Sequence, residues 1–170
     1  PLGRTARGVK SMNLRNGDKL VSMDVLTSDL VDKLASLDES ENDLEDHIES
    51  NSSCGPWVLV ASSFGLGKRV PVAQFRLQKR AGMGLRAIKF RIKDDVLVGL
   101  KVLGAGEELL FVTEKGVIVR TNADKISQQS RAATGVKLQR LDEGDHLSEV
   151  VLVPHEQVKE PDQSLPEEET

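Results

Sequence analysis

A chain of 170 residues in which 38% of the side chains are hydrophobic is long enough for one domain with a buried core, or for a few repeats that share one. A single cysteine excludes an internal disulfide framework, and four Phe, one Trp and no Tyr leave few rings on which unpaired bases would stack. The net charge of −4 hides a separation, because residues 27–56 and 154–170 are acidic and the remainder has 21 Lys and Arg against 12 acids. This basic remainder indicates a polyanionic partner or, with equal weight, an ordinary solvated surface.

In chain order, the composition and a repeat of 51 residues predict five segments. Residues 1–26 are the second half of a blade, and residues 27–56 are an acidic insert whose Ser, Asn, Asp and Glu content favours a mobile linker over a short acidic helix. Residues 57–103 and 104–154 are complete blades, and residues 155–170 are a disordered acidic tail. Because the first half-unit lacks its beginning, we expect the chain to be the C-terminal part of a longer protein.

The repeat aligns residues 57–102 with residues 108–153 without a gap. The second half of the unit occurs a third time near the start of the chain. Arg4, Gly8 and Gly17 stand there at the same offsets as Arg131, Gly135 and Gly144. Other matched pairs are Gly65 with Gly116, Arg69 with Arg120, Gln78 with Gln129, Arg80 with Arg131, and Asp94 with Asp145. A period of this length is typical of propellers, solenoids and arrays.

Each complete unit contains four short apolar or alternating runs, separated by turn residues, that predict antiparallel strands. The predicted strands are residues 58–61, 69–72, 84–90 and 96–102 in the first unit and 109–113, 117–121, 135–141 and 147–153 in the second. Residues 114–116 and 142–145 are predicted to form hairpin turns. The predicted fold is therefore all-β and propeller-like, with about two and a half four-stranded blades of about 51 residues.

The clearest candidate site is the stretch of residues 78–84, Gln-Lys-Arg-Ala-Gly-Met-Gly. Three side chains that can contact phosphate precede alternating glycines, which let the backbone approach a surface closely. Arg80 recurs as Arg131 and Arg4, each four residues before the glycine that opens a strand. Repeated arginines at equal places on neighbouring blades would form a basic belt along the rim. Alternatively, these arginines cap turns or lie on a solvated edge.

Patterns that resemble catalytic or metal sites have plainer explanations. Residues 65–68, Gly-Leu-Gly-Lys, lack the spacing of a P-loop, and Gly65 aligns with the turn residue Gly116, so a hairpin turn is predicted. The carboxylates at positions 94, 95, 142 and 145 fall in predicted turns, where Asp accepts hydrogen bonds from nearby amides. Cys54 stands alone, and the histidines at 47, 146 and 155 lack metal-ligand spacing. We expect no catalytic residue, no metal and no cofactor in this chain, and no apolar run predicts a membrane partner.

The sequence resembles the C-terminal β-pinwheel domain of the DNA gyrase A protein. The resemblance rests on residues 3–9, Gly-Arg-Thr-Ala-Arg-Gly-Val, and on residues 14–18, 113–116 and 131–138. It covers nearly everything outside the acidic insert and tail. Residues 78–84 also resemble the gyrase-A box, a Q-R-R-G-G-K-G heptapeptide, from which Lys79, Ala81 and Met83 depart. We therefore expect a degenerate copy of the box in a late blade.

The resemblance implies a DNA-binding and DNA-wrapping module of a type II topoisomerase, which contributes to ATP-dependent negative supercoiling without being catalytic itself. The tyrosine that attacks DNA in this family has no counterpart, because the chain contains no Tyr. The implied partners are double-stranded DNA, the gyrase B protein and a second gyrase A protein. The implied DNA-contacting residues are Arg4, Arg7, Lys10, Lys68, Arg69, Gln78, Lys79, Arg80, Arg86, Lys89, Arg120, Gln129, Arg131, Lys137 and Arg140.

Two alternative functions stay open. One is a propeller-like protein-interaction module whose basic rim binds an acidic protein or the chain's own acidic insert. The other is the paralogous wrapping domain of topoisomerase IV. The long insert is similar to those of plant organellar gyrases, which implies a chloroplast or mitochondrial nucleoid, with the bacterial cytoplasm as the alternative.

Overall fold

The computed structural model describes residues 4–28 and 55–153, in which seven strands form two sheets. The strands are β1 Trp57–Ser62, β2 Leu66–Pro71, β3 Leu97–Leu103, β4 Glu108–Thr113, β5 Ile118–Asn122, β6 Val136–Lys137 and β7 Leu147–Val153. All strand ladders are antiparallel, which confirms the predicted all-β class. Most of the predicted acidic insert and the whole tail, residues 29–54 and 154–170, lie outside the described residues.

Two hairpins open the two units where the sequence predicts turns. The β1–β2 hairpin closes through Gly65, whose N–H donates to the carbonyl of Ser62 at 2.9 Å. The β4–β5 hairpin closes at the equivalent place, where the N–H of Gly116 donates to the carbonyl of Thr113 at 3.0 Å. The predicted turn at residues 114–116 is therefore confirmed, whereas of residues 65–68 only Gly65 lies in the turn, because residues 66–68 belong to β2. A short 3-10 turn follows each hairpin, at Val72–Gln74 and at Ala123–Lys125.

The main core lies between the two sheets. Leu59 and Leu103 of the first sheet and Leu109 and Phe111 of the second are fully buried members of one cluster. Burial of side chains of this size contributes about 1.5–3 kcal/mol each. A second, smaller cluster on the other face of the first sheet contains Val58, Val60, Val72 and Ile88. Because β1 is covered on both faces, all six of its residues are buried.

The second unit contributes one strand to the sheet of the first unit, a strand exchange that corrects one sequence prediction. The first sheet has the order β3-β1-β2-β6 and the second has the order β5-β4-β7. By sequence β6 belongs to the second unit, yet it pairs with β2 of the first, with Leu66 opposite Lys137 and Gly67 opposite Val136. The prediction that each unit forms its own four-stranded sheet is therefore wrong at the third strand.

The predicted strand at residues 84–90 is also wrong. It has no strand structure, and its apolar side chain Ile88 joins the buried cluster of Val58 and Val60 instead. Residues 136–137, which follow the equivalent glycine in the second unit, pair with β2 of the first unit, whereas no strand among the described residues pairs with residues 84–90 in this way.

Two glycines permit the close approach of β6 to β2. Gly135 has φ +97°, and a Cβ placed there would lie 2.6 Å from the carbonyl oxygen of Gly67. At Gly67 a Cβ would lie 2.5 Å from the side chain of Leu138, which directly follows β6, and 2.6 Å from the carbonyl oxygen of Val60 in β1. Since Cβ atoms do not approach backbone atoms this closely, only glycine fits the exchange at both positions.

The register of the sheets shows that the repeat contains a gap. Ser62 pairs with Leu97 in the first unit and Thr113 with Leu147 in the second, so the closing strands are offset by 50 residues rather than 51. Asp94 has φ +65° and matches Gly144, with φ +68°. The predicted pairing of Asp94 with Asp145 is therefore wrong, and Asp95 is the counterpart of Asp145. The extra residue lies between Gly84 and Asp94, where no regular structure constrains the length.

The leading half-unit contributes no regular strand within residues 4–28, but it contacts the first complete unit. Met12 forms a parallel bridge with Gly82. A carboxylate oxygen of Asp24 accepts from the N–H of Val102 at 2.8 Å, and the hydroxyl of Ser22 donates to a neighbouring carbonyl of β3 at 3.1 Å. Its assignment to the second half of a blade, and the number of blades, stay predictions.

Candidate nucleic-acid interface

The loop of residues 78–84 borders an open cavity of about 370 Å³. Polar and cationic side chains line it, together with apolar side chains of the leading half-unit and of residues that flank the loop. Among the lining residues are Ser11, Met12, Phe75, Arg76, Gln78, Lys79 and Arg80. Lys79 and Arg80 are exposed. The Gln78 amide donates to the carbonyls of Leu77 and Arg76, just before the loop, at 3.3 and 3.4 Å. Three of the predicted contact residues are thus brought together at one concave, solvent-accessible place.

The leading half-unit braces this loop through its backbone. The N–H of Ala81 donates to the carbonyl of Ser11 at 2.8 Å, and the N–H of Asn13 donates to the carbonyl of Gly82 at 2.8 Å. The amide of Asn13 also donates to the carbonyl of Ala81 at 2.9 Å. Ala81 itself has φ +59°, a left-handed conformation that favours glycine. The loop keeps a glycine-type turn although alanine stands where the gyrase-A box has glycine.

Arg131 connects the equivalent loop of the second unit to the first unit. Its backbone N–H donates to the Oε1 of Gln74 at 3.1 Å. Its guanidinium donates to the carbonyl of Arg86 at 3.4 Å and lies 5.8 Å from the ring centroid of Phe75. The side chain is half-buried and lies against residues 74–86, so the recurring arginine of one unit borders the basic loop of the other.

Gln129 has a structural role in the same loop. Its Oε1 accepts from the N–H of Gly135 at 3.2 Å, which ties the two ends of the loop together. The side chain is half-buried. The predicted equivalence of Gln78 and Gln129 therefore holds for position and not for environment.

Lys68 and Arg69 are corrections to the predicted contact set. Lys68 is fully buried, and its Nζ donates to the carbonyls of Ser130, Arg131 and Ala133 at 2.6, 2.8 and 2.7 Å. Burial, and secondly the nearby charge of Arg131, lower the pKa of Lys68 to about 8 from its usual 10.5. The ammonium has no donor left for a phosphate.

Arg69 is 9% exposed, and its side chain, like that of Lys68, is held by contacts within the protein. Its Nε donates to the carbonyl of Ile126 at 2.9 Å, and its guanidinium bonds the Asp124 carboxylate at 3.0 Å. The same group lies 4.6 Å from the centroid of the Trp57 ring. Both basic residues of β2 therefore hold the second unit and do not face solvent.

The other predicted residues divide into free and paired cations. Arg120 is exposed but bonds the carboxylate of Glu108, and this hydrogen bond raises the pKa of Arg120. Its charge is balanced where it lies. The remaining predicted cations are exposed: Arg4, Arg7, Lys10, Lys79, Arg80, Arg86, Lys89, Lys137 and Arg140.

Sequence reasoning missed Arg76, which lines the cavity beside Lys79 and Arg80. Its counterpart in the second unit is Ser127, so recurrence gave it no weight. The usable signal was its position two residues before Gln78 in the same basic stretch. Arg76 adds a fourth polar group to the concave site.

Two of the four predicted turn carboxylates, Asp95 and Asp145, accept hydrogen bonds from nearby backbone amides, as the sequence predicted. Asp95 accepts from the N–H of Phe64 at 3.2 Å, and Asp145 accepts from the N–H groups of Lys115 and His146 at 3.1 and 2.9 Å. Within residues 4–28 and 55–153, no group of His, Cys, Asp and Glu has the geometry of a metal site. No helix in that part of the chain is long and apolar enough to cross a membrane.

Comparison with known proteins decides the family. The profile of the family described as "DNA gyrase C-terminal domain, beta-propeller" matches residues 1–27, 56–103 and 107–154. The chain belongs to the DNA gyrase A C-terminal domain family. The predicted resemblance and the propeller-like fold are therefore confirmed, and the matched segments coincide with the leading half-unit and the two complete units.

The gyrase relatives are much longer than this chain. The DNA gyrase A protein of Synechocystis sp. is 49% identical over 159 residues, which is 90% of this chain and 18% of that protein. The DNA gyrase A protein of Staphylococcus epidermidis is 36% identical over 156 residues, 92% of this chain and 15% of that protein. The chain thus spans less than a fifth of the curated relatives that it matches.

Solved structures agree with the fold. The structure of the DNA gyrase A C-terminal domain has a TM-score of 0.53 and 29% identity, over 57% of this chain and 33% of that chain. The crystal structure of the C-terminal domain of DNA topoisomerase IV has a TM-score of 0.53 and 24% identity, over 67% of this chain and 32% of that chain. The second similarity concerns the fold alone.

Proposed function

We propose that this gyrase A C-terminal segment binds and wraps duplex DNA along a basic track that joins the loop of residues 78–84 to the loop around Arg131. The observation that carries the proposal is the concave site of Arg76, Lys79 and Arg80, which the half-buried Arg131 of the next unit borders. Exposed cations of the leading half-unit and of residues 86–89 extend the charge beyond it.

Electrostatics make duplex DNA the fitting ligand for such a track. Each phosphate that a Lys or Arg neutralises releases condensed counterions, and this term needs no contact with base edges. The scarcity of aromatic side chains agrees, because single-strand binders use ring stacking on successive bases. The track therefore favours a bent duplex held by its backbone.

For the complete protein we propose the gyrase A component of an ATP-dependent, negatively supercoiling topoisomerase that acts with a gyrase B protein and a second gyrase A protein. The names of the relatives support this assignment. Within the chain we propose a non-catalytic role without cofactor, because it contains no Tyr to attack a phosphodiester. Binding of duplex to this chain in the presence of a chelator tests the second part, and loss of binding would contradict it.

The direct test compares the double variant R80A/R131A with the wild-type chain in a salt-titrated duplex binding assay. If each arginine neutralises one phosphate, the log–log salt slope falls by about 1.8 and the affinity at 0.1 M salt falls roughly 60-fold. The matched control is K93A/K125A, which removes two exposed lysines outside the predicted set. Equal losses in the two double variants would show that only total charge matters and would refute the track.

Wrapping requires a second measurement. Closed circular DNA is relaxed by a topoisomerase I while the chain is bound, and the linking number is read after the protein is removed. A wrapped duplex leaves a change in linking number that grows with protein concentration, and R80A/R131A reduces it. Binding without any linking change would reduce the proposal to simple DNA binding.

Two rival functions predict different outcomes. A protein-interaction module would bind duplex weakly with little salt dependence. A topoisomerase IV domain would bind with the same chemistry, but the Synechocystis and Staphylococcus relatives are gyrase A proteins. The salt dependence of binding therefore distinguishes DNA wrapping from the first rival, and the sequence of the complete protein distinguishes a gyrase A protein from the second.

We also propose, as a separate statement, a plant organellar origin with the chloroplast or mitochondrial nucleoid as the compartment. The support is the acidic insert of residues 27–56 and the 49% identity to a cyanobacterial protein. The bacterial relatives favour the alternative, a bacterial cytoplasm. A fluorescent fusion of the complete protein in plant cells tests the proposal, and absence from organelle nucleoids would refute it.

A further inference from the structure

Lys68 is a buried ammonium whose three donors are all used within the protein. Its Nζ lies 2.6, 2.8 and 2.7 Å from the carbonyl oxygens of Ser130, Arg131 and Ala133. A lysine ammonium has three N–H donors and no acceptor, so this arrangement satisfies it completely. The three carbonyls belong to one loop and converge on one point. The three N–H donors of an ammonium match the three converging carbonyl oxygens.

The loop that Lys68 holds belongs to the next repeat unit and carries Arg131. The neighbouring residue Arg69 holds the segment just before it, through its side-chain bonds to Ile126 and Asp124. The backbone of Arg69 also pairs with the same segment, accepting from the N–H of Gln129 at 2.9 Å. Two successive residues of β2 thus fix residues 124–133 of the second unit.

The contrast between the units shows that lysine occurs where a loop is held. Val119 in β5 stands at the position of Lys68 in β2. Among the described residues, β5 has β4 as its only strand partner and holds no loop of a further unit. Val119 is half-buried, whereas Lys68 is fully buried against three carbonyls of the second unit. The lysine therefore serves the contact between units rather than the hairpin that contains it.

We infer that Lys68 is a positioning residue for DNA binding: it fixes the loop of the following unit so that Arg131 borders the basic loop of its own unit. The inference rests on the proposed function, because Arg131 is assigned there to the DNA track. The backbone of Arg131 accepts from Lys68, while its side chain reaches the carbonyl of Arg86 at 3.4 Å. The same residue is thereby fixed at one end and directed to the track at the other.

The test uses the full chain with Lys68→Met, which leaves an unbranched side chain one atom shorter and removes the donors. Amide hydrogen exchange of residues 130–137 should become faster, while exchange in β1 and β4 stays unchanged. Duplex affinity at 0.1 M salt should fall by up to about eightfold, the loss expected when one phosphate contact disappears. The control Lys125→Met removes an exposed lysine outside the track and should change affinity less than about twofold, because salt screens distant charges.

Double variants separate positioning from direct contact. If Lys68 acts through Arg131, K68M/R131A binds no more weakly than R131A alone, whereas K68M and R80A add because Arg80 lies in a loop that Lys68 does not hold. Additive losses in K68M/R131A with unchanged exchange of residues 130–137 would overturn the inference. If K68M fails to fold, Lys68→Gln, which keeps two N–H donors, replaces it, with the same criteria.

Failure of the proposed function gives a different result. In that case the wild-type chain does not bind duplex with steep salt dependence, while K68M still accelerates exchange in residues 130–137. Unchanged exchange in K68M, with or without DNA binding by the wild type, would show that Lys68 does not hold the loop and would end the inference.

Discussion

Because β6 of the second unit pairs with β2 of the first, we expect the replacement of Gly135 to lower the free energy of unfolding. Replacement by Ala adds a Cβ at a residue with φ +97°, 2.6 Å from the carbonyl oxygen of Gly67. The left-handed conformation costs a residue other than glycine about 1–2 kcal/mol. The contact costs more, because β6 must move away from β2. Loss of the bond from Leu138 N–H to the Gly65 carbonyl and of the pairing of Gly67 with Val136 costs about 2–3 kcal/mol, at about 1 kcal/mol for each hydrogen bond.

Gly116 provides the matched control, since it has φ +84° and no atom lies within 4 Å of the position of its Cβ. Gly116→Ala therefore carries the conformational cost without the contact. Urea denaturation of the two variants should give a free energy of unfolding that is about 2–3 kcal/mol lower for Gly135→Ala than for Gly116→Ala, with faster amide exchange at residues 136–138. Equal free energies of unfolding would refute the view that the close approach of Gly135 to Gly67 holds the exchanged strand.

Three further predictions concern a turn and two titrating groups. Ala81→Gly should raise the free energy of unfolding by about 0.5–1 kcal/mol, because Ala81 has φ +59°. Ala132→Gly, at the equivalent position without a positive φ, should lower the free energy of unfolding by about the same amount. Changes of the same sign in both variants would contradict this prediction. The pKa of Lys68 is about 8 in the folded chain, against a usual value of 10.5, so the folded state loses this proton at a lower pH than the unfolded state. The free energy of unfolding of the wild type, relative to that of K68M, should therefore rise between about pH 8 and 10.5. A constant difference would be evidence against a perturbed Lys68. Burial alone would raise the pKa of Asp145, but hydrogen bonds from Thr113, Lys115 and His146 lower it overall. Its stabilising contribution is therefore present above about pH 4 and is lost as the pH falls through the folded pKa. Asp145→Asn should flatten the decrease in the free energy of unfolding at acid pH.

The elements that sequence reasoning predicted well depend on local pattern. Five of the predicted strands, those that became β1, β3, β4, β5 and β7, have apolar runs bounded by turn residues, and they occur within two residues of the predicted ends. The turns at Gly65 and Gly116 followed from the same logic. Local periodicity and turn chemistry are read from a few neighbouring residues, so they survive in the folded chain.

Apart from the extra residue between Gly84 and Asp94, the failures concern what lies next to a unit. Nothing in the local pattern of residues 135–141 states that they pair with β2 of the preceding unit, because strand pairing is a non-local choice. Residues 84–90 have the same kind of pattern, but they form no strand, and Ile88 packs against Val58 and Val60. Lys68 looked like a phosphate contact because a lysine is normally exposed. The available signal was its counterpart Val119, since an apolar residue at the same place in the repeat indicates an inward-facing position.

Recurrence of a position is therefore not recurrence of a role, and the two arginines at positions 69 and 120 show why. In the first unit Arg69 stacks on Trp57 and bonds Asp124 of the second unit. In the second unit the counterpart of Trp57 is Glu108, and Arg120 pairs with it in solvent. The second unit therefore holds the Arg69 guanidinium inward and away from the rim, whereas in the described residues Arg120 lies outside with a local counter-charge. Neither arginine is a free cation, so the charge that a duplex meets depends on how units pack, and it is smaller than the number of basic residues in the repeats suggests.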